Sequence, residues 1–309
     1  MNIASEKWLV AIIVCLLAAC TADEPQIDRV AYDAELMEWR AARLERLKGP
    51  DGYLNLAGLF WLEQGSSRFG SAADNDIVFP AYAAPYVGVL ETSAEGVTLF
   101  AEPGVDLRYE GVPVKSIMIS DDTTANPVTI THRSFAWTVI KRDDRFGLRL
   151  RDFEHPAINA FPPIEYFPID PAWRVEGTLK RFDEPRIVNV GTVIEGLAYR
   201  PESPGTVAFE VAGEIHELEA YASEDSLFFV FGDATSGRET YPAGRFLYAD
   251  LPGEDGRTIM DFNRAYNPPC AFNAFATCPV ASPRNRLKVR IEAGEKFDPA
   301  VHTIPGSEH

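Results

Sequence analysis

HPAINAFPPIEYFPIDP, residues 155–171, is the stretch on which the fold turns. Pro156, Pro162, Pro163, Pro168 and Pro171 fix φ, remove backbone donors and push their neighbours out of helical conformation. Strand-like runs lie on both sides, so 156–171 reads as a rigid crossing between two β-units. Upstream lie YLNLAGLFWLEQG (53–65), VGVLET (87–92), VTLFAEP (97–103), VPVKSIMIS (112–120), PVTITHR (127–133), FAWTVIKR (135–142) and FGLRLRD (146–152). They are apolar or alternate with a period near two, and Arg142-Asp143-Asp144-Arg145 reads as a hairpin turn. Downstream, WRVEGTLKRFD (173–183) opens a meander of short strands with regular turn signals. It includes a hairpin through Ala212-Gly213 and ends in NRLKVRIEAGEK (285–296). The expected architecture is mainly β. It has two packed sandwich- or barrel-like units, 50–155 and 172–300, and a tail at 301–309.

One helix precedes them. Asp28 is a natural N-cap, and Tyr32, Leu36 and Trp39 share a stripe that Leu44 and Leu47 extend toward Lys48. Gly49-Pro50 stops it. The charged remainder reads as a solvated face. With a short polar lead, this makes 20–49 a tether and helix.

The chain begins MNIASEKWLVAIIVCLLAACTADEP, a basic start followed by the apolar run Trp8–Ala19. That run suits a signal peptide better than a membrane span. Its end, Leu17-Ala18-Ala19-Cys20, resembles the bacterial lipobox. The resemblance implies removal of residues 1–19 and a diacylglycerol on Cys20, hence a lipid-anchored envelope protein whose membrane partner is reached through that lipid. Thr21 follows Cys20, which favours an outer membrane, facing the periplasm, in a host with two membranes.

Composition narrows the partners. The chain has 309 residues, 46% hydrophobic, with a net charge of −17. So acidic a surface repels nucleic-acid phosphates, and nucleic-acid binding is excluded. No glycine-rich phosphate loop or dinucleotide fingerprint is present, so no cofactor is expected. The five histidines are scattered, and no metal site is expected.

YLNLAGLFWLEQG, DNDIVFP, RFGLRLRD, FGDATSGRETYPAGRFLYAD and DFNRAYNPPCAFNAFATCPVASPRNRLKVRIEAGEK resemble, together, the bacterial and archaeal domain-of-unknown-function family 1684, across Trp39 to Lys296. The resemblance implies a shared core and points to the last two motifs as the shared site. It carries no catalytic residue. FGSAADNDIVFP (69–80) also resembles the opening of a forkhead-associated domain, which implies a β-sandwich. Ser71 replaces the phosphate-binding arginine after Gly70, and no Ser-x-x-His follows, so phosphopeptide binding is not implied.

Within FGDATSGRETYPAGRF (231–246), Asp233, Ser236 and Glu239 are candidate catalytic groups, and Arg238 and Tyr241 candidate ligand contacts. Turn chemistry accounts for the same residues. In DFNRAYNPPC (261–270), Asp261 is a candidate base and Asn263, Tyr266 and Asn267 candidate ligand contacts, with Asp261 and Asn263 on one strand face. The alternative is a rigid turn with a core tyrosine. Cys270 and Cys278 have neither zinc nor thioredoxin spacing. A disulfide staple worth roughly 2–3 kcal/mol is expected, ahead of a redox thiol or a metal ligand. The expected function is binding of a small molecule or an envelope partner by the C-terminal β-unit. The alternative is a hydrolase built from the same Asp, Glu, Tyr and Ser groups.

Overall fold

A computed structural model describes residues 27–302. Signal peptide, Cys20 and the end of the tail therefore lie outside the described residues. Helix α1 spans Arg29–Lys48, with the Asp28 carboxylate accepting from the amides of Val30 and Ala31. Tyr32, Leu36 and Leu47 are buried along it, as the stripe predicts. Arg43 is buried too, at a position the apolar pattern leaves out.

Two sheets occupy 56–152. One runs in the order Leu56–Leu62, Arg145–Asp152, Phe135–Arg142, Thr129–His132, Arg108–Tyr109, Val112–Pro113. The other runs Ile77–Val78, Gly65–Gly70, Gly88–Ser93, Gly96–Ala101, Ser116–Ile119. Their inner faces meet in one aromatic-rich core. Phe69 lies 5.6 Å from Trp137 and Phe79 5.7 Å from it, both nearly edge-on. The Phe135–Arg142 hairpin closes at Arg142↔Arg145, with Asp143 at φ 55, as the turn reading expects.

The second unit is one six-stranded antiparallel sheet in the order Arg245–Asp250, Ser226–Phe231, Glu214–Ser223, Glu202–Val211, Arg174–Ile187, Arg257–Asp261. Its edge strands Arg257–Asp261 and Arg245–Asp250 lie back against each other, so the sheet nearly closes into a barrel. Val207, Phe209, Leu218, Phe229, Phe231, Leu247 and Met260 fill the interior. The Ala212-Gly213 hairpin has φ of 53 and 79 at its two turn residues, the primed geometry that matches strand twist. The chain is thus mainly β, with two packed units and one main N-terminal helix.

Two local expectations need correction. The strand entering DFNRAYN stops at Asp261, and Phe262–Arg264 forms a 3-10 turn. The Asp261 carboxylate accepts the Asn263 amide at 3.1 Å, and this cap competes with the ladder. Asp261 and Asn263 are therefore not alternate residues of one strand. Residues 286–296 join no ladder. They are pinned by a bridge from Gly232 to Arg286 and by the Asp233 side chain.

Candidate functional site

Helix α1 lies on the second unit, held there by buried charge. Arg43 donates from Nε to Glu295 at 3.1 Å and from a terminal nitrogen to the Asn267 carbonyl at 2.9 Å. Glu295 is fully buried and also accepts the Asn267 amide at 2.7 Å and the Tyr166 hydroxyl at 3.3 Å. At the other end of α1, the Tyr32 hydroxyl donates to Asp261 at 2.9 Å and accepts from Asn263 Nδ2 at 3.0 Å. Burial, reinforced by Asp261, pushes the Tyr32 hydroxyl well up, so it stays a proton donor.

Between these two anchors Glu35 of the helix pairs with Arg264 on the facing wall. A groove of about 580 Å³ remains, within the range of small-molecule sites. One wall is the α1 face carrying Tyr32, Glu35, Trp39, Arg43 and Arg46. The other carries Arg174, Tyr248, Asp250, Asp261, Arg264 and Tyr266. Tyr266 is the centre of an aromatic surface. Trp39 lies 6.4 Å from it, Tyr248 lies 6.4 Å away and nearly parallel, and the Arg43 guanidinium sits 4.5 Å above its ring. Burial raises the Tyr266 hydroxyl strongly, so it too remains protonated. The groove can bind flat apolar groups and hydrogen-bonding or charged ones. Its hydroxyl–carboxylate pair is Tyr32 on Asp261, with the tyrosine held protonated.

The residues singled out in the sequence fall into separate places. Asp261 and Tyr266 line the groove. Asp261 is occupied: its Oδ1 accepts from Tyr32 and from the Asn263 amide and side chain, and Arg264 lies 3.6 Å from its Oδ2. Asn263 is fully buried and spends its side chain on Tyr32, Asp261 and the backbone of Asp170, so it braces the wall from behind. Asn267 is also buried, bonded to Lys296 and Glu295.

Asp233 and Ser236 are not at the groove. Asp233 accepts the Ile291 amide at 2.6 Å, the Thr235 hydroxyl at 2.6 Å and the fully buried Arg245 at 3.4 Å. Ser236 Oγ bonds Asp233 at 3.3 Å and accepts its amide at 3.1 Å, closing a turn. Arg238 and Glu239 border a smaller hollow with Glu165 and Lys296, where Glu239 pairs with Arg290 at 2.5 Å. Tyr241 reaches the neighbouring loop instead, its hydroxyl donating to the Cys270 carbonyl at 3.1 Å.

Cys270 and Cys278 are free, buried thiols in the structure, not a bridge. The Cys270 amide donates to Cys278 Sγ at 3.2 Å, and burial raises the Cys278 thiol well above its usual range. The loop is held without a covalent link, by this contact, by Tyr241 and by Asn273 Nδ2 on the Tyr53 carbonyl at 2.8 Å. Among the described residues no cluster of three His, Cys, Asp or Glu could hold a metal.

Trp39, Arg43, Arg46 and Arg174 were not anticipated as site residues. The available signal was Arg43, a charge interrupting the buried stripe of α1 one turn beyond Trp39.

Fold and site together define a β-rich chain whose N-terminal helix roofs a groove at the edge of a nearly closed sheet. Through residues 159–296 the chain belongs to the family described as Protein of unknown function (DUF1684). The matched segment begins within the proline-rich crossing and takes in the whole second unit, a narrower span than Trp39–Lys296. A solution NMR structure of an uncharacterized protein of Haloarcula marismortui is 31% identical over 45% of this chain and 79% of that one, with a TM-score of 0.39. A search of curated proteins finds no match.

Proposed function

We propose that this is a lipid-anchored cell-envelope protein that binds a small molecule through its C-terminal β-unit, in the groove beneath α1. The observation that carries the binding half is the groove itself: about 580 Å³, walled by four aromatic rings and by arginines. The hydrolase reading has no comparable support. Ser236 and Asp233 spend their polar atoms on the fold, away from the groove, and Glu239 lies elsewhere on an ion pair. The anchoring half rests on the lipobox-like Leu17-Ala18-Ala19-Cys20. In such a compartment the adjacent Cys270 and Cys278 would oxidise to the expected disulfide.

A metabolite thermal-shift screen on the purified full chain tests binding. A ligand should raise the melting temperature of wild type and of Glu239→Gln, but not of Trp39→Ala. Equal stabilisation of all three would remove the groove as the site. Labelling with a fatty acid in a bacterial host should mark wild type and spare Cys20→Ser. Unlabelled wild type would end the anchoring proposal.

A further inference from the structure

The groove is not uniform, and its asymmetry selects a ligand class. Along α1 the lining residues run Tyr32, Glu35, Trp39, Arg43, Arg46, one face of the helix over about 21 Å at 1.5 Å per residue. Near Tyr32 the charges are spent on each other. Arg264 pairs with Glu35 and lies 3.6 Å from Asp261, whose carboxylate is held by Tyr32. Beyond Trp39 the helix face carries only cations. Arg43 is committed to Glu295 and Asn267. Arg46 is exposed and has no hydrogen bond or ion pair among the described residues.

That unpaired guanidinium stands one turn from Arg43, whose own guanidinium covers the Tyr266 ring. Arg46 lines the same groove as Trp39, Tyr266 and Tyr248. In a chain of net charge −17, Arg46 is thus a cation on this segment's helix wall that no carboxylate pairs among the described residues, with Asp250 on the opposite wall.

We propose that this end of the groove takes a flat organic anion, an aryl carboxylate or aryl phosphate. Its ring lies on Trp39, Tyr266 and Tyr248, and its head pairs with Arg46. A guanidinium fork donates in a bidentate manner to the oxygens of either head. The inference rests on the groove being the binding site and adds the chemistry of what enters it.

The test is equilibrium binding of 1-naphthoate, 1-naphthyl phosphate and the uncharged 1-naphthamide to the full chain, compared with its Arg46→Gln, Arg174→Gln and Trp39→Ala variants. Arg46 and Arg174 are exposed and make no side-chain hydrogen bond or ion pair among the described residues, so both glutamine variants should fold. The anions should bind wild type about tenfold or more tighter than the amide, and Arg46→Gln should erase that preference. Arg174→Gln, at the Tyr32 end, should leave it within about twofold. The better of the two acids identifies the head group. If acid and amide bind equally, yet Trp39→Ala weakens both, the anion assignment fails while the groove stands. If no probe binds, or if Trp39→Ala changes nothing, the ligand class and the groove both fail.

Discussion

The two β-units are built on different physical principles. The first is held by shape. Its core of Phe69, Phe79, Phe135, Trp137, Leu148 and Leu150 is aromatic and aliphatic, and its buried polar groups mostly serve turns. The second unit has a comparable apolar interior but adds buried charge at its rim: Asp233 with Arg245, and Glu295 with Arg43. Those pairs do not fill the sheet. They fix the segment 286–296 and helix α1, which no ladder holds. Apolar packing suffices where strands already determine position, and buried charge appears where segments outside the ladders must be placed against the sheet. A buried pair gives little net stability over an apolar equivalent, but it is costly to half-remove.

The contrast can be broken most severely at Asp233. Asp233→Ala leaves Arg245 buried without its carboxylate and the Ile291 amide without an acceptor. The expected loss is about 3–5 kcal/mol in urea unfolding. An effect below about 1 kcal/mol would mean the segment is placed by something else. Next comes Glu295→Gln, which keeps shape and removes charge facing Arg43, with an expected loss of about 1.5–3 kcal/mol. Its counterpart in the first unit is Trp137→Phe. Trp137 Nε1 is buried without a partner, so only volume is lost, and about 1 kcal/mol is expected. If the tryptophan change costs more than the glutamate change, the contrast between units is wrong.

The smallest effect is at the joint between the units. Burial lowers the pKa of His155, outweighing the opposing pull of Asp152, and its Nδ1 accepts the Ala157 amide at 3.2 Å. The folded state therefore favours neutral imidazole. This stabilising contribution is complete above the unfolded value near 6.5 and is lost as pH falls through the window below it. The urea midpoint should drop modestly from pH 7 to pH 5, and His155→Gln should remove that part of the slope. A midpoint that instead rose on acidification would contradict the neutral assignment.

Local order was largely legible. Asp28 and Lys48 bound α1 because capping and termination are local chemistry, and the turns at Asp143-Asp144 and Ala212-Gly213 follow from pairing strands in register. The groove was only half legible. Tyr266 and Asp261 come from a motif read as a site, but the opposite wall comes from a helix whose polar face looked merely solvated. Tyr32 meets Asp261 across 229 positions of sequence, and no periodicity reports such a meeting. Asn263 and Asn267 show the converse: polar residues in a promising motif became braces once the 3-10 turn replaced the expected strand.

Binding in the groove requires α1 to be a wall of the site and not merely a packed helix. The most direct measurement is a crystal structure of the full chain grown with 1-naphthoate. The account predicts the ring against Trp39 and Tyr266 with its carboxylate at Arg46. A naphthoate seated at the Arg238–Glu239 hollow, or a groove left empty at saturating ligand, would contradict it.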